Sequence, residues 1–437
     1  MTAPAARGNR YAWFVVALLM LAYVLSFVDR QILNLLVGPI RHDLGIGETQ
    51  MSLLMGLSFA VFYTLCGLPI ARWADSGSRR LLIAGGVFFW SVATTACGMA
   101  KTYGQMFLAR IGVGVGEAAL SPAAYSMITD YFPKELRATA ISVYSMGIYL
   151  GSGLAFLVGG VVIQFASTRG QLVLPIAGEI RPWQLVFFIL GIAGLVFSLL
   201  LLIIREPART TTHAARPLAD VIVTLKANAR TLLCHHFGFA LIALAAYASS
   251  AWVPSYFIRV HAWTAAEIGL IYGTLLTIFG PMGIVAGGRI ADRWIQRGHT
   301  DATLRVGLWA ALLNIPCMAA FLLSPDPRWA MVFLAPCIFF VSMPFGVAPA
   351  GLQDIVPADM RAQVSALYLF VVNMIGLGLG PTAVAVVTEY GFKNDAAVGS
   401  SLLIICLIAL ISAALLLKLG QAPYRSSYAR QRDRREH

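Results

Sequence analysis

The sequence predicts an all-α integral membrane protein with twelve transmembrane helices in two six-helix bundles related by an internal repeat. Three observations lead there. The 437 residues are 59% hydrophobic and 12% charged, with a mean hydropathy of +0.76, which leaves too little polar surface to coat a water-soluble particle of this size. Apolar runs long enough to cross a hydrocarbon core of about 30 Å, which takes about 20 helical residues, can be placed twelve times. The phrase Asp130-Tyr-Phe-Pro133-Lys-Glu-Leu-Arg137-Ala138 recurs as Asp354-Ile-Val-Pro357-Ala-Asp-Met-Arg361-Ala362, a shift of 224 residues at which Tyr144 also falls on Tyr368.

The apolar runs cover residues 12–39, 50–73, 80–100, 104–130, 136–166, 182–204, 231–259, 264–289, 302–324, 328–353, 359–390 and 397–418. They follow one another through short links, helix to helix. That excludes a β-barrel, whose strands are shorter and alternate in polarity. With an even number of spans, 23 of the 32 Lys and Arg residues fall on the face that carries both termini, and 7 on the other. By the positive-inside rule this basic face is cytoplasmic, so the expected location is the plasma (inner) membrane with both termini inside.

A second repeated feature agrees with the duplication: Asp75, after Ala71-Arg-Trp-Ala, corresponds to Asp292, after Gly288-Arg-Ile-Ala, at a shift of 217. The expected organisation is an N-terminal bundle over 1–204, a cytoplasmic linker over 205–230, a C-terminal bundle over 231–418 and a basic cytoplasmic tail over 419–437. Two such halves face each other across a central cavity. Within the linker, Pro217 followed by Leu218, Val221, Ile222 and Leu225 predicts a short amphipathic helix on the membrane surface. Glycines cluster at 112, 114 and 116, at 147, 151 and 153, and at 376, 378 and 380 before Pro381, where helices approach closely or bend.

Four ionisable side chains lie well inside the spans: Asp29 and Arg30 in helix one, Arg110 and Glu117 in helix four. A charge at the bilayer centre costs at least about 2.5 to 3.5 kcal/mol, so such groups face a polar interior and mark a pathway for ions or substrate. At 1.5 Å per residue, Asp29 lies about 15 Å below the outer face, Arg110 about 9 Å and Glu117 about 20 Å. Two acids and two bases sum to zero. They form either a buried network that ties helices one and four together, or a site where an anion competes for an arginine while a proton neutralises the displaced carboxylate.

On the basic face, Asp75, Arg79 and Arg80 are mirrored by Asp292 and Arg293, an arrangement that suits a cytoplasmic gate built from carboxylates pairing with arginines or capping helix N-termini. Tyr247, Trp252, Phe340 and Met343 are candidates for an apolar cavity wall. Ordinary packing is the competing reading for each.

Several classes are disfavoured. The net charge of +12 sits at helix ends and in the tail, where it suits anionic lipid and not nucleic acid. The six cysteines are dispersed without metal-ligand spacing. No phosphate-binding G-x-x-x-x-G-K-[ST] loop occurs, so ATP does not drive the chain directly. No histidine lies deep in an expected span to serve as an enzyme's base. No metal or cofactor is expected beyond coupling protons, and the chain is expected to act as a monomer.

The twelve-helix plan, the repeated D-x-x-P-x-x-x-R-A phrase and the Asp75 and Asp292 loops resemble the major facilitator superfamily. Within it, Phe-Val-Asp29-Arg30-Gln in helix one and Arg110-Ile-Gly-Val-Gly-Val-Gly116-Glu117-Ala in helix four resemble the bacterial form of the Spinster family. The resemblance implies an alternating-access, proton-coupled transporter of an amphipathic anionic lipid, such as a lysophospholipid or sphingosine phosphate. In it, Asp29, Arg30, Arg110 and Glu117 would form the charged part of the path. The family's first loop motif begins with Gly and has Arg directly after Asp; Ala71 and Ser76 stand there in this chain, which implies a weaker gate than the copy at Gly288, Asp292 and Arg293. An organic anion:proton symporter for small soluble anions stays open as an alternative, and a membrane-embedded enzyme is the reading from another class.

Overall fold

A computed structural model describes residues 10–168, 172–174, 178–207, 218–357 and 360–436. The first half holds α1 (Arg10–Ile32), α2 (Val37–Leu44), α3 (Glu48–Met55), α4 (Leu57–Ser76), α5 (Arg79–Met99), α6 (Tyr103–Glu117), α7 (Leu120–Tyr131), α8 (Lys134–Ser145), α9 (Gly147–Thr168) and α10 (Pro182–Leu201). Between α9 and α10 a short antiparallel hairpin pairs β1 (Leu172–Leu174) with β2 (Gly178–Ile180), a small exception to the all-helical plan. The chain continues with α11 (Leu218–Ala227), α12 (Ala229–Val260), α13 (Ala265–Gln296), α14 (Ala302–Leu323), α15 (Pro327–Ser342), α16 (Pro344–Ile355), α17 (Arg361–Val372), α18 (Gly380–Val386) and α19 (Val398–Glu436).

Among the described residues, eleven helical stretches are long and apolar enough to cross a membrane. The difference from twelve is helix four. The expected span 104–130 is divided into α6 and α7, which meet at Ala118–Ala119 directly after Glu117, and neither piece alone reaches 18 residues. Helix starts are set by local chemistry. The Ser78 hydroxyl accepts from the Leu81 N–H at the head of α5, Thr102 does the same for Gln105 in α6, and Asp326 accepts from Arg328 ahead of Pro327 in α15. Leu108, Val196, Leu199, Leu323 and Ile408 are exposed, as a lipid-facing surface requires.

The chain divides into two compact units. The first runs to Thr212 and also includes Trp263–Thr277. There α1 packs on α9, α5 on α6 and α10, and α4 on α6. The Phe156 and Tyr272 rings, 4.9 Å apart, join α9 to the early turns of α13 within this unit. The second unit comprises His213–Ala262 and Ile278–His437, with α19 packed along α12 and α14. After α17 the helix widens into a π-turn at Asn373–Leu379. Pro381 lacks the N–H that would continue the regular ladder, and its carbonyl accepts the Trp252 indole N–H at 2.9 Å. Residues expected as a tail continue α19 as one helix to Glu436.

The glycines of helix four set the spacing of the first unit. A Cβ on Gly114 would lie 2.8 Å from the Phe59 carbonyl oxygen of α4, and one on Gly116 would lie 2.7 Å from the Trp90 backbone nitrogen of α5. Backbone-to-backbone packing of this closeness holds Arg110 and Glu117 in register with the neighbouring helices. Gly116→Ala should therefore destabilise the protein by about 1–3 kcal/mol, read as a lower thermal midpoint in detergent. Gly85→Ala, where nothing lies within 4 Å, should not.

Candidate transport site

Arg30, Asp29, Arg110 and Glu117 come together inside the first unit. Both Arg30 Nε and the Ser26 hydroxyl donate to Glu117 Oε2 at 2.6 Å, joining α1 to α6. The Thr94 hydroxyl of α5 donates to Asp29 Oδ2. Asp29 lies within electrostatic reach of both arginines and of Glu117. Asp29, Arg110 and Glu117 are buried, at 4%, 0% and 1% exposure, which makes the net charge of the group the quantity that matters. The guanidinium of Arg30 rests against three rings, 4.4 Å from the Phe59 centroid and 4.8 Å from those of Phe27 and Tyr63.

The group is not internally satisfied. Arg110 Nε reaches the Leu54 carbonyl at 3.4 Å, while its Nη1 and Nη2 have no hydrogen-bond partner among the described residues. The same holds for Asp29 Oδ1 and Glu117 Oε1. A network serving only to tie helices together would use these atoms, because a buried unpaired donor or acceptor costs about 1–3 kcal/mol. The open valences suit an anion at Arg110 and protons at the carboxylates. Ser26 and Thr94 were not singled out from sequence, because a serine or threonine hydroxyl inside an apolar helix ordinarily bonds a carbonyl of its own helix and gives no sign of another partner.

Other expected site residues are placed differently. Trp252 is fully buried with its N–H on Pro381, and Met343 sits in an apolar cluster with Ala291, Val306, Ala310 and Val347, against which Phe340 also packs. Trp252 and Met343 are thus core residues and not an open wall, since their side chains satisfy neighbouring helices; Tyr247 and Phe340 are half-buried. His235 and His236 correct the expectation of no histidine deep in a span. Both are buried about two turns into α12, with His235 Nε2 3.0 Å from the Ala348 carbonyl and the Tyr368 ring against both imidazoles.

On the basic face of the first unit, Arg79 is buried and donates to Glu206 Oε1 at 2.8 Å, to Asp130, to Ser126 and to the Pro207 carbonyl. Glu206 also accepts the backbone N–H groups of Arg79 and Arg80 and the Ser78 hydroxyl, so it caps α5. Among the described residues the Arg80 side chain reaches the Ile204 carbonyl, at 3.5 Å. The side chain of Asp75 lies outside the described residues. Asp292 and Arg293 are exposed and, among the described residues, form no ion pair; the second unit instead ties Asp301 to Arg305 and Arg425 at 2.8 and 2.6 Å. Asp130 opens the repeated phrase and was visible in it; Glu206 carried no such signal.

Removing Arg79 leaves two carboxylates facing each other without a cation. Arg79→Ala should cost about 3 kcal/mol of stability and Arg80→Ala under about 1 kcal/mol, measured as thermal midpoints. Burial alone would raise the Glu206 carboxyl, but the Arg79 side chain, the two backbone N–H groups and Ser78 hold it below the ordinary glutamate value. A depressed carboxylate contributes stability that is present above the unfolded value of about 4.3 and is lost as pH falls through the lower folded value. Glu206→Gln should remove that acid-side slope from a plot of thermal midpoint against pH.

The sequence model of the Major Facilitator Superfamily matches residues 19–381. An MFS-type efflux pump of Mycolicibacterium smegmatis is 27% identical over 428 residues, covering 96% of this chain and 94% of that protein. Protein spinster of Drosophila melanogaster is 23% identical over 88% of this chain, which spans 63% of the fly protein's length. A D-galactonate transporter of Escherichia coli is 24% identical over 94% of this chain and 95% of its own length. Among solved structures, a bacterial homologue of the human lysosomal transporter Spinster, inward-facing and unoccupied, superposes with a TM-score of 0.77 at 27% identity, covering 96% of this chain and 98% of that one. The chain belongs to the Major Facilitator Superfamily, as a multi-pass membrane transporter and not an enzyme.

Proposed function

We propose that this protein is a proton-coupled secondary transporter that moves an amphipathic anionic lipid, such as a lysophospholipid or sphingosine phosphate, by alternating access. The observation that carries this reading is the buried Arg110 guanidinium with two open N–H edges beside Asp29 and Glu117. The lipid class is what the resemblance of the Asp29-Arg30 and Arg110–Glu117 segments to the Spinster family implies.

The physical logic is charge conservation in a poorly screened site. Two carboxylates and two guanidiniums balance, so an anionic head group arriving at Arg110 adds one uncompensated negative charge. A proton taken up by Asp29 or Glu117 restores neutrality. Protonation of Glu117 also weakens its bond to Arg30 Nε, freeing that guanidinium for the same head group. The three rings around Arg30 supply apolar surface next to the charge for the start of a hydrocarbon chain. The expected setting is the inner membrane, with both termini on the cytoplasmic side and a single chain as the working unit.

One observation favours a second reading. A D-galactonate transporter aligns over almost the whole chain, and an arginine with two open N–H edges suits a sugar-acid carboxylate equally well. Uptake into proteoliposomes with an imposed pH gradient separates the two: transport that rises with acyl-chain length supports the lipid, and transport of a soluble sugar acid unaffected by excess lysolipid supports the alternative. In either case Asp29→Asn and Glu117→Gln should each reduce pH-gradient-driven accumulation by about tenfold or more, while Arg110→Ala should weaken anion binding by at least about tenfold. Full gradient dependence in both carboxamide variants would remove proton coupling from the account.

A further inference from the structure

Beside the four charges, hydroxyl groups from four helices converge in the first unit. Tyr63 of α4 lies against the Arg30 guanidinium. Ser121 of α7 stands one turn beyond Glu117 toward the basic face, and Tyr125 one turn beyond Ser121. Tyr144 of α8 is fully buried with its hydroxyl 3.2 Å from the Ser121 hydroxyl. Tyr23 of α1 stacks on Tyr144 at 4.6 Å with the rings 2° from parallel, and its hydroxyl also lies beside Ser121. The Tyr125 ring meets Tyr144 edge-on at 5.3 Å, is 38% exposed, and has Ser145 beside its hydroxyl.

Aromatic packing alone explains the rings but not the hydroxyls, which buried helices in lipid ordinarily avoid unless each finds a partner. The duplicated half gives an internal comparison. Tyr368 occupies the position of Tyr144, yet its neighbours are His235 and His236, and the carboxylates of that half, such as Glu267 and Glu389, fall near the ends of its spans. The serine and tyrosine hydroxyls accompany the charges.

From this arrangement the geometry points to a proton path leading from Glu117 toward the basic face through Ser121, Tyr144 and Tyr125, with Tyr23 holding Tyr144 in place. This rests on the carboxylate reading above. In each transfer a hydroxyl oxygen accepts one proton and releases its own to the next oxygen, so no hydroxyl is left ionised and no charge is stranded in the apolar interior. Glu117 and Ser121 lie four residues apart across the junction of α6 and α7, so the first transfer runs through a bridging water. The ionisable and charged groups around the path are Asp29, Arg30, Arg110 and Glu117 at its head and Tyr63 at its side; Cys97 lies within electrostatic reach of Asp29 and Arg110.

The test compares Tyr144→Phe and Ser121→Ala, which keep the packing volume nearly intact, with Tyr368→Phe as the repeat-related control. Wild type and variants are reconstituted in liposomes containing a pH-sensitive dye, and lysophospholipid-driven proton movement is followed in H2O and D2O. Both path variants should slow proton movement by about tenfold or more and change the solvent isotope effect, with lysolipid affinity and thermal midpoint unchanged, and Tyr368→Phe should match wild type. Wild-type proton rates in Ser121→Ala and Tyr144→Phe, alongside loss of coupling in Asp29→Asn and Glu117→Gln, would overturn the path while leaving the carboxylates in place. Retention of coupling in the carboxamide variants would overturn both.

Discussion

Electroneutrality of four intramembrane ionic groups, three of them buried, is the constraint on which the first unit is organised. Asp29, Arg30, Arg110 and Glu117 occupy a region where unbalanced charge is expensive, so every change in one must be answered by another or by an arriving ion. The local fold serves that requirement. Gly114 and Gly116 bring helix four against the backbones of α4 and α5, Thr94 and Ser26 bond one carboxylate each, and the helix breaks immediately after Glu117. What remains unbonded among the described residues, two arginine N–H edges and two carboxylate oxygens, is the part of the site available for exchange.

The basic face shows a different use of charge. Arg79 bonds both Glu206 and Asp130, and Glu206 caps α5, so the three tie α5 and α7 to the segment after α10. The second unit repeats the tie with the signs reversed: Asp301 ahead of α14 holds Arg425 near the end of α19. Duplication preserved the mechanical connection between the third and sixth helices of each half while the chemistry diverged. The same divergence separates Tyr144, beside hydroxyls, from Tyr368, beside imidazoles.

The four intramembrane charges were legible in the sequence because burial makes them costly, and the repeat was legible because Asp130 and Asp354 open matching phrases. The break in helix four was legible only in Pro122, which the span assignment passed over: it has no N–H for the Ala118 carbonyl four residues back, so the ladder is interrupted at Ala118–Ala119 although both are strong helix formers. Trp252 and Met343 could not be separated from cavity residues by type alone, since a buried indole and a lining indole look identical until the Pro381 carbonyl is found next to one. Asp292 and Arg293 matched a loop pattern, but the pattern carries no information about which helix end lies within reach; Asp301 and Glu206 fill that role from positions where an acid near a helix end is unremarkable.

The most direct test is calorimetric titration of lysophospholipid into the purified protein at one pH in two buffers of different ionisation enthalpy. The account predicts that the apparent enthalpies differ by an amount corresponding to uptake of about one proton per lipid bound, and that the difference vanishes in Glu117→Gln or Asp29→Asn. Identical enthalpies in the two buffers for the wild-type protein, with the lipid bound, would contradict it.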